Sequence, residues 1–118
     1  MLAIRSALIS ALALVALVLA APATPATTRL VATVGPSFTI TLTKGGTRVR
    51  TLRPGRYAIT VRDRSRFHNF RLRGPLLNRA TAIGRITTVT WTVTLRRGTY
   101  RYVCDPHADA MRGSFTVR

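Results

Sequence analysis

The chain has 118 residues, enough for one small domain with one hydrophobic core. Its 19 Lys and Arg residues against three acidic ones give a formal net charge of +16, which ordinarily favours nucleic acid or an anionic membrane as partner. Because the arginines are spread along the whole chain, we expect no nucleic-acid binding, and a single cysteine, Cys104, excludes a disulfide within the chain.

Residues 1–23 have the pattern of a secretory signal peptide. One positive charge at Arg5 precedes an uncharged stretch over residues 7–21 that is apolar except for Ser10, and small residues follow where a signal peptidase would cut. We expect cleavage after Ala23 or after Ala20. An uncleaved membrane anchor is the alternative, since the apolar stretch approaches the length of a spanning helix. In either case the rest of the chain works outside the cytoplasm.

Residues 24–30 are predicted to be a short linker, and residues 31–118 the folded domain. Apolar and polar residues alternate with period two from Thr28 onward, as is typical of half-buried antiparallel strands. The inward residues predicted from this alternation are Phe38, Ile40, Leu42, Tyr57, Ile59, Val61, Val89, Trp91, Val93, Leu95, Phe115 and Val117. A short helical turn near residues 76–83 is the one candidate departure from this pattern.

Gly- and Pro-containing turns separate these strands at short intervals. About seven to eight strands at this spacing predict an all-β fold, a Greek-key β-sandwich or barrel. Nothing in the alternation demands a dimer, so we expect a monomer.

The chain holds only two histidines, and the first lies in the segment "RFHNFRLRG". The alternation of inward and outward residues predicts that His68 faces the core together with Phe70 and Leu72, and that Phe67 and Asn69 face away from it. Taken alone, an inward histidine is more often a hydrogen-bonded core residue than a metal ligand.

The remaining candidates follow a predicted strand, in "CDPHADAM". Cys104 ends that strand on its inward face, and a tight loop must place His107 and Met111 close to it. Each residue alone has an ordinary structural interpretation, since a buried Cys behaves as a small hydrophobe and a Met as packing. Together, two imidazoles, one thiolate and one thioether are the donor set of copper sites that cycle between Cu(I) and Cu(II).

These motifs resemble the cupredoxins, the small blue copper proteins, and most closely their plastocyanin-like branch. The resemblance covers about residues 31–118 and implies a cupredoxin-like sandwich with one type 1 copper. It implies that His68, Cys104 and His107 are the strong metal ligands, that Met111 is a weak axial ligand, and that Asn69 ties the His68 segment to the ligand loop. Three residues separate His107 from Met111, a spacing between those of amicyanin and plastocyanin.

The resemblance further implies an exported carrier that passes one electron between redox proteins, with the edge of His107 as the exit. The basic chain favours partners with acidic docking surfaces. We expect no small-molecule substrate and no enzyme activity, because two histidines cannot build a further copper centre. Extracytoplasmic copper binding and delivery is the alternative function, and a zinc-binding or purely structural domain also stays open. Membrane association is expected only if the N-terminal segment is retained.

Overall fold

The computed structural model describes residues 2–4, 6–23 and 26–118. Within this part of the chain, residues 2–23 form neither helix nor strand and their large apolar side chains are exposed. No helix among the described residues is long and apolar enough to cross a membrane. Arg5 of the predicted signal peptide and two residues of the predicted linker, Thr24 and Pro25, lie outside the described residues.

The described residues form ten strands and one 3₁₀ turn. The strands are β1 Thr28–Val34, β2 Ile40–Lys44, β3 Thr47–Arg48, β4 Thr51–Leu52, β5 Gly55–Asp63, β6 Arg71–Gly74, β7 Leu77–Ala80, β8 Thr87–Leu95, β9 Gly98–Val103 and β10 Arg112–Val117, and the 3₁₀ turn is Asp105–His107. The two strands beyond the expected seven to eight are the two-residue strands β3 and β4. Strand β1 begins inside the segment that was predicted to be a linker.

Two five-stranded sheets make up the sandwich, in the orders β3-β2-β1-β5-β8 and β4-β10-β9-β6-β7. The predicted all-β architecture is therefore confirmed. The expectation of purely antiparallel strands is wrong at two places, because β1 pairs with β5 and β10 pairs with β4 in parallel. Period two in a sequence reports which face of a strand is buried and not the direction of its neighbour.

The core lies between the sheets and is built by the inward positions of the long strands. Its members include Leu30, Ala32, Val34, Leu42, Tyr57, Ile59, Val61, Phe70, Leu72, Trp91, Val93, Leu95, Tyr100, Tyr102, Phe115 and Val117. Two predicted core residues, Ile40 and Val89, are only partly buried and pack against its edge. A third, Phe38, lies outside the core altogether.

The helical turn expected near residues 76–83 is wrong. Residues 77–80 form strand β7, which pairs with β6 as a hairpin in which Gly74 lies opposite Leu77. The connection between these two positions is only two residues long, which suits a hairpin and leaves no room for a helical turn.

The strand ends define two poles of the sandwich. At the site pole lie the ends of β1, β5 and β9 and the start of β6, since Val34 pairs with Asp63 and Arg71 with Val103. At the distal pole lie the starts of β1 and β5 and the end of β10. All the predicted metal ligands lie at or beyond strand ends of the site pole, so the candidate metal centre lies at this pole.

Candidate metal centre

Strand pairing brings the predicted ligands together at the site pole. Strands β6 and β9 are antiparallel neighbours, so the segment that precedes β6 and the residue that follows β9 emerge side by side. His68 belongs to that segment and is 3% exposed, and Cys104 follows β9 and is fully buried. His107 ends the 3₁₀ turn and is partly exposed.

Three donor atoms converge on one point. His68 Nδ1 lies 3.1 Å from His107 Nδ1, and Cys104 Sγ lies 3.6 Å from the same His107 atom. Ligand atoms of the three residues all lie within 4.8 Å of one another. Separations of this size fit atoms that share one ion through bonds of about 2.0–2.3 Å, as imidazole and thiolate do with zinc. The residues present therefore fit a transition metal of the copper or zinc type.

The ligand loop closes on itself through its backbone. The N–H of Cys104 donates to the carbonyl of Met111 at 3.0 Å, and the N–H of Met111 donates to the carbonyl of His107 at 2.8 Å. The N–H of His107 in turn donates to the carbonyl of Cys104 at 3.0 Å. Met111 is fully buried at the end of this loop. Its role as an axial ligand stays a prediction.

Asn69 joins the His68 segment to the ligand loop. Its Oδ1 accepts the backbone N–H of Asp105 at 2.8 Å, and its Nδ2 donates to the Asp105 carboxylate at 2.8 Å and to the carbonyl of Thr81 at 3.3 Å. The link implied by the family resemblance is thus confirmed. The outward orientation predicted for Asn69 is wrong, since the residue is 2% exposed. Residues 68–70 precede β6 and are not strand, so strict alternation does not apply to them.

Asp105 is fixed from a second side by Arg71. The Nε of Arg71 lies 2.8 and 2.9 Å from the two carboxylate oxygens, and Arg71 also donates to Asn78 Oδ1. The hydrogen bond from Arg71 lowers the pKa of Asp105, and the Asn69 bond adds to this, while partial burial opposes it. The charged carboxylate therefore anchors the first residue of the 3₁₀ turn, an interaction that the sequence analysis did not identify.

A second buried carboxylate, Asp63, braces the other side of the site. Its oxygens accept the backbone N–H of Ser65 at 3.3 Å and the hydroxyl of Thr81 at 3.2 Å, and that hydroxyl accepts the N–H of Phe70 at 2.9 Å. Burial raises the pKa of Asp63, although these hydrogen bonds oppose the shift. Asp63 continues the inward positions 57, 59 and 61 of β5, a register that could have identified it from the sequence.

Phe38 covers the two histidines instead of entering the core. Its ring centroid lies 5.3 Å from that of His68 and 4.9 Å from that of His107, both in edge-to-face geometry, and its side chain is 63% exposed. The core prediction is wrong because β2 begins only at Ile40, after a turn. Phe38 also borders a pocket of about 490 Å³, which is lined in addition by Pro36, Phe67, Ile83 and Pro106. The apolar surface beside His107 is therefore larger than the loop alone predicted.

Comparisons with known proteins agree with this geometry. The family model of copper binding proteins, plastocyanin/azurin family, matches residues 68–118, which include every predicted ligand. The copper protein rusticyanin has a similar structure, with 19% identity, a TM-score of 0.59 and 80% of each chain covered. Reduced auracyanin from Roseiflexus castenholzii matches with 21% identity and a TM-score of 0.56, over 80% of this chain and 99% of that one.

A third similar structure is auracyanin A from Chloroflexus aurantiacus, described as a "blue" copper protein, with 17% identity and a TM-score of 0.54 over 79% of this chain and all of that one. No curated protein sequence matches this chain significantly. The β-sandwich with a His/Cys/His cluster at one pole agrees with the class of small copper proteins. The family match over residues 68–118, the fold and the cluster together support a cupredoxin family member, with type 1 copper as its cofactor.

Proposed function

We propose that this protein is an exported carrier of single electrons. In this proposal His68, Cys104 and His107 hold one type 1 copper ion and Met111 is its weak axial ligand. The observation that carries the proposal is the convergence of two imidazole nitrogens and one thiol sulfur at a single buried point. This donor set, with a weak axial thioether, is the arrangement used for copper in electron transfer.

When bound, the copper ion supplies one-electron exchange between Cu(I) and Cu(II). The protein supplies a fixed geometry. Cys104 is attached directly to the end of β9, and the hydrogen bonds of Asn69 and Asp105 hold its loop against the His68 segment. Donor atoms on such a frame move little between the two oxidation states, so each transfer requires little reorganisation.

The surface around His107 is the exit that we propose for the electron. His68 and Cys104 are buried, whereas His107 is partly exposed beside Phe38 and Pro106. A small apolar surface of this kind suits brief docking of low area with a redox protein. Exposed arginines at the same pole, Arg64 and Arg112, favour a partner with an acidic rim.

Export and domain organisation belong to the same proposal. We assign residues 1–23 to a signal peptide and, because β1 already begins at Thr28, we start the monomeric copper domain at residue 28, so that the linker is shorter than predicted; this domain works outside the cytoplasm. The exposed apolar residues of the described part of 2–23, which join no strand of the sandwich, support a segment that is separate from the fold.

The deciding experiment is visible absorption of the purified protein during titration with Cu(II), with Cys104→Ser as control. We expect an intense thiolate-to-copper band that saturates at one equivalent, bleaches on reduction, returns on oxidation and is absent from the control. A protein that is folded by circular dichroism but shows no such band contradicts the proposal. Copper delivery is supported instead if the band is present but copper transfer to a competing apo-protein is faster than electron exchange.

A further inference from the structure

Acidic residues are confined to one pole of the sandwich. The sequence contains three of them, Asp63, Asp105 and Asp109. Asp63 ends β5 at the site pole, and the other two belong to the loop between β9 and β10 at the same pole. The distal pole thus carries positive side chains with no carboxylate side chain to offset them.

Five basic side chains at the distal pole are exposed. They form the distal basic surface, defined as Lys44, Arg53, Arg56, Arg96 and Arg97. Among the described residues the one ion pair joins Arg71 to Asp105, at the opposite pole of the sandwich. None of the five basic side chains is therefore paired with a carboxylate in the described structure. Three of the five, Lys44, Arg53 and Arg56, line a cleft of about 890 Å³. The positive charges therefore surround a concave surface, which favours anionic groups electrostatically.

The apolar N-terminal segment joins the domain at this same surface. Thr28, the first residue of β1, pairs with Tyr57 at the distal pole, and Ala26 and Thr27 line the basic cleft. Residues 7–21, which lie just before this junction, carry no charge and are apolar almost throughout. A basic surface at the base of an apolar segment is the arrangement that binds anionic headgroups beside a hydrocarbon core.

We propose that, in the form of the protein that retains residues 1–23 as the alternative membrane anchor, the distal basic surface docks on an anionic lipid bilayer. The bilayer is favoured over nucleic acid because only a bilayer offers a partner to the adjoining apolar segment. Docking in this way turns the site pole, with His107 and its apolar surroundings, away from the membrane and toward soluble partners. The proposal does not depend on copper, because no residue of the metal centre belongs to the distal basic surface.

The test uses the full chain and two kinds of vesicle, phosphatidylcholine alone and phosphatidylcholine with phosphatidylglycerol. The ratio of the two partition coefficients isolates the electrostatic part, because any insertion of the apolar segment contributes equally to both. Each basic residue removed should lower this ratio roughly fivefold, so the triple variant Lys44→Gln/Arg53→Gln/Arg56→Gln should lower it roughly a hundredfold. A higher salt concentration should also lower this ratio, because salt screens the attraction between the basic residues and the lipid headgroups.

The matched control is Arg62→Gln/Arg64→Gln/Arg112→Gln, which removes three exposed charges near the site pole. Both triple variants have the same net charge, so a diffuse attraction would lower the ratio equally in both. An equal loss therefore overturns the proposal. All six residues are exposed, and urea unfolding of each variant verifies that the fold persists.

Hydrogen exchange of the unmodified chain supplies the orientation. On anionic vesicles we expect slower exchange of the backbone amides at residues 44–47 and 53–56, with residues 35–39 and 104–111 unchanged. Slower exchange at the site pole alone overturns the proposal. The proposal is also overturned if the protein binds duplex DNA more tightly than anionic vesicles at equal charge concentration and the distal triple variant abolishes this DNA binding.

Discussion

Asn69 and Asp105 hold each other through two hydrogen bonds of 2.8 Å, one to the backbone N–H and one to the carboxylate of Asp105. Each residue is the immediate sequence neighbour of a predicted copper ligand, His68 in one case and Cys104 in the other. The pair therefore sets the distance between two segments that are 36 residues apart in the chain.

Replacement of Asn69 by Ala should destabilise the fold by about 3 kcal/mol, because it breaks bonds to a carboxylate and leaves a backbone N–H without its acceptor. Urea unfolding measures the change. Asn78→Ala is the matched control, since Asn78 is exposed and accepts one bond from Arg71. The control should lose less than about 1 kcal/mol. Equal losses in the two variants contradict the bracing role of Asn69.

Asp63 predicts a specific pH dependence of stability. Burial raises its folded pKa above the ordinary value of 3.8, so the folded chain holds this proton more tightly than the unfolded chain does. Stability should therefore fall as the pH rises from 3.8 through the folded pKa, and then level off. Urea unfolding across this range should show the fall in the native protein and not in Asp63→Asn. Parallel curves for the two proteins contradict the assignment.

Asp105 acts in a different pH range and with the opposite sign, which keeps the two effects separable. Its folded pKa lies below the ordinary value, because Arg71 donates to its carboxylate. The stability that it contributes is present above the ordinary pKa and is lost as the pH falls below it, through the folded pKa. Measurements above pH 4 therefore report Asp63 rather than Asp105.

Met111 should control the reduction potential without being required for the colour. Met111→Leu conserves volume at a buried position, so the loss of stability should stay below about 1.5 kcal/mol. Loss of the thioether donor disfavours Cu(II), so the potential should rise, while Met111→Gln offers a harder oxygen donor and should lower it. Voltammetry measures both variants. Identical potentials in all three proteins would show that Met111 does not act as an axial ligand.

Phe38 should protect the metal centre more than it stabilises the fold. Its two edge-to-face contacts with the histidines are worth about 1–2 kcal/mol together. Phe38→Ala should lose about this much stability and should release copper to a chelator faster. Phe67→Ala is the control, because Phe67 is 77% exposed, lines the same pocket and makes no ring contact with a histidine in the described structure. Equal release rates in the two variants contradict the protective role.

Gly35 permits the close approach of the His68 ring. A Cβ atom at this position would lie 3.0 Å from Ser65 Cβ and 3.2 Å from His68 Cδ2, and its φ of +66° already disfavours other residues. Gly46→Ala has comparable backbone strain at φ of +81° but open space around the new methyl group. Gly35→Ala should therefore be more destabilising than Gly46→Ala, with both costing about 1 kcal/mol for the backbone. Equal losses would show that the contacts with Ser65 and His68 impose no constraint.

The strands were largely predictable because burial alternates along a pleated chain whatever its partners are. The runs that begin at Tyr57 and Trp91 lie in strands with the expected faces inward. Their neighbours were not predictable, since the parallel pairing of β1 with β5 joins residues that are far apart in the sequence. Alternation also failed where the chain leaves a strand, as at Phe38 and Asn69.

The sequence by itself determined which atoms are available for a metal, because the chain has one thiol and two imidazoles, and a short loop keeps Cys104 and His107 together. Tertiary structure alone decided that His68 Nδ1 meets them and that Asn69, Asp105 and Arg71 fix the loop. It also decided that Lys44, Arg53 and Arg56 line one cleft, opposite the pole that carries the acidic residues. The physical reason is that local composition and periodicity are encoded in neighbouring residues, whereas convergence and charge segregation arise only from long-range pairing of strands.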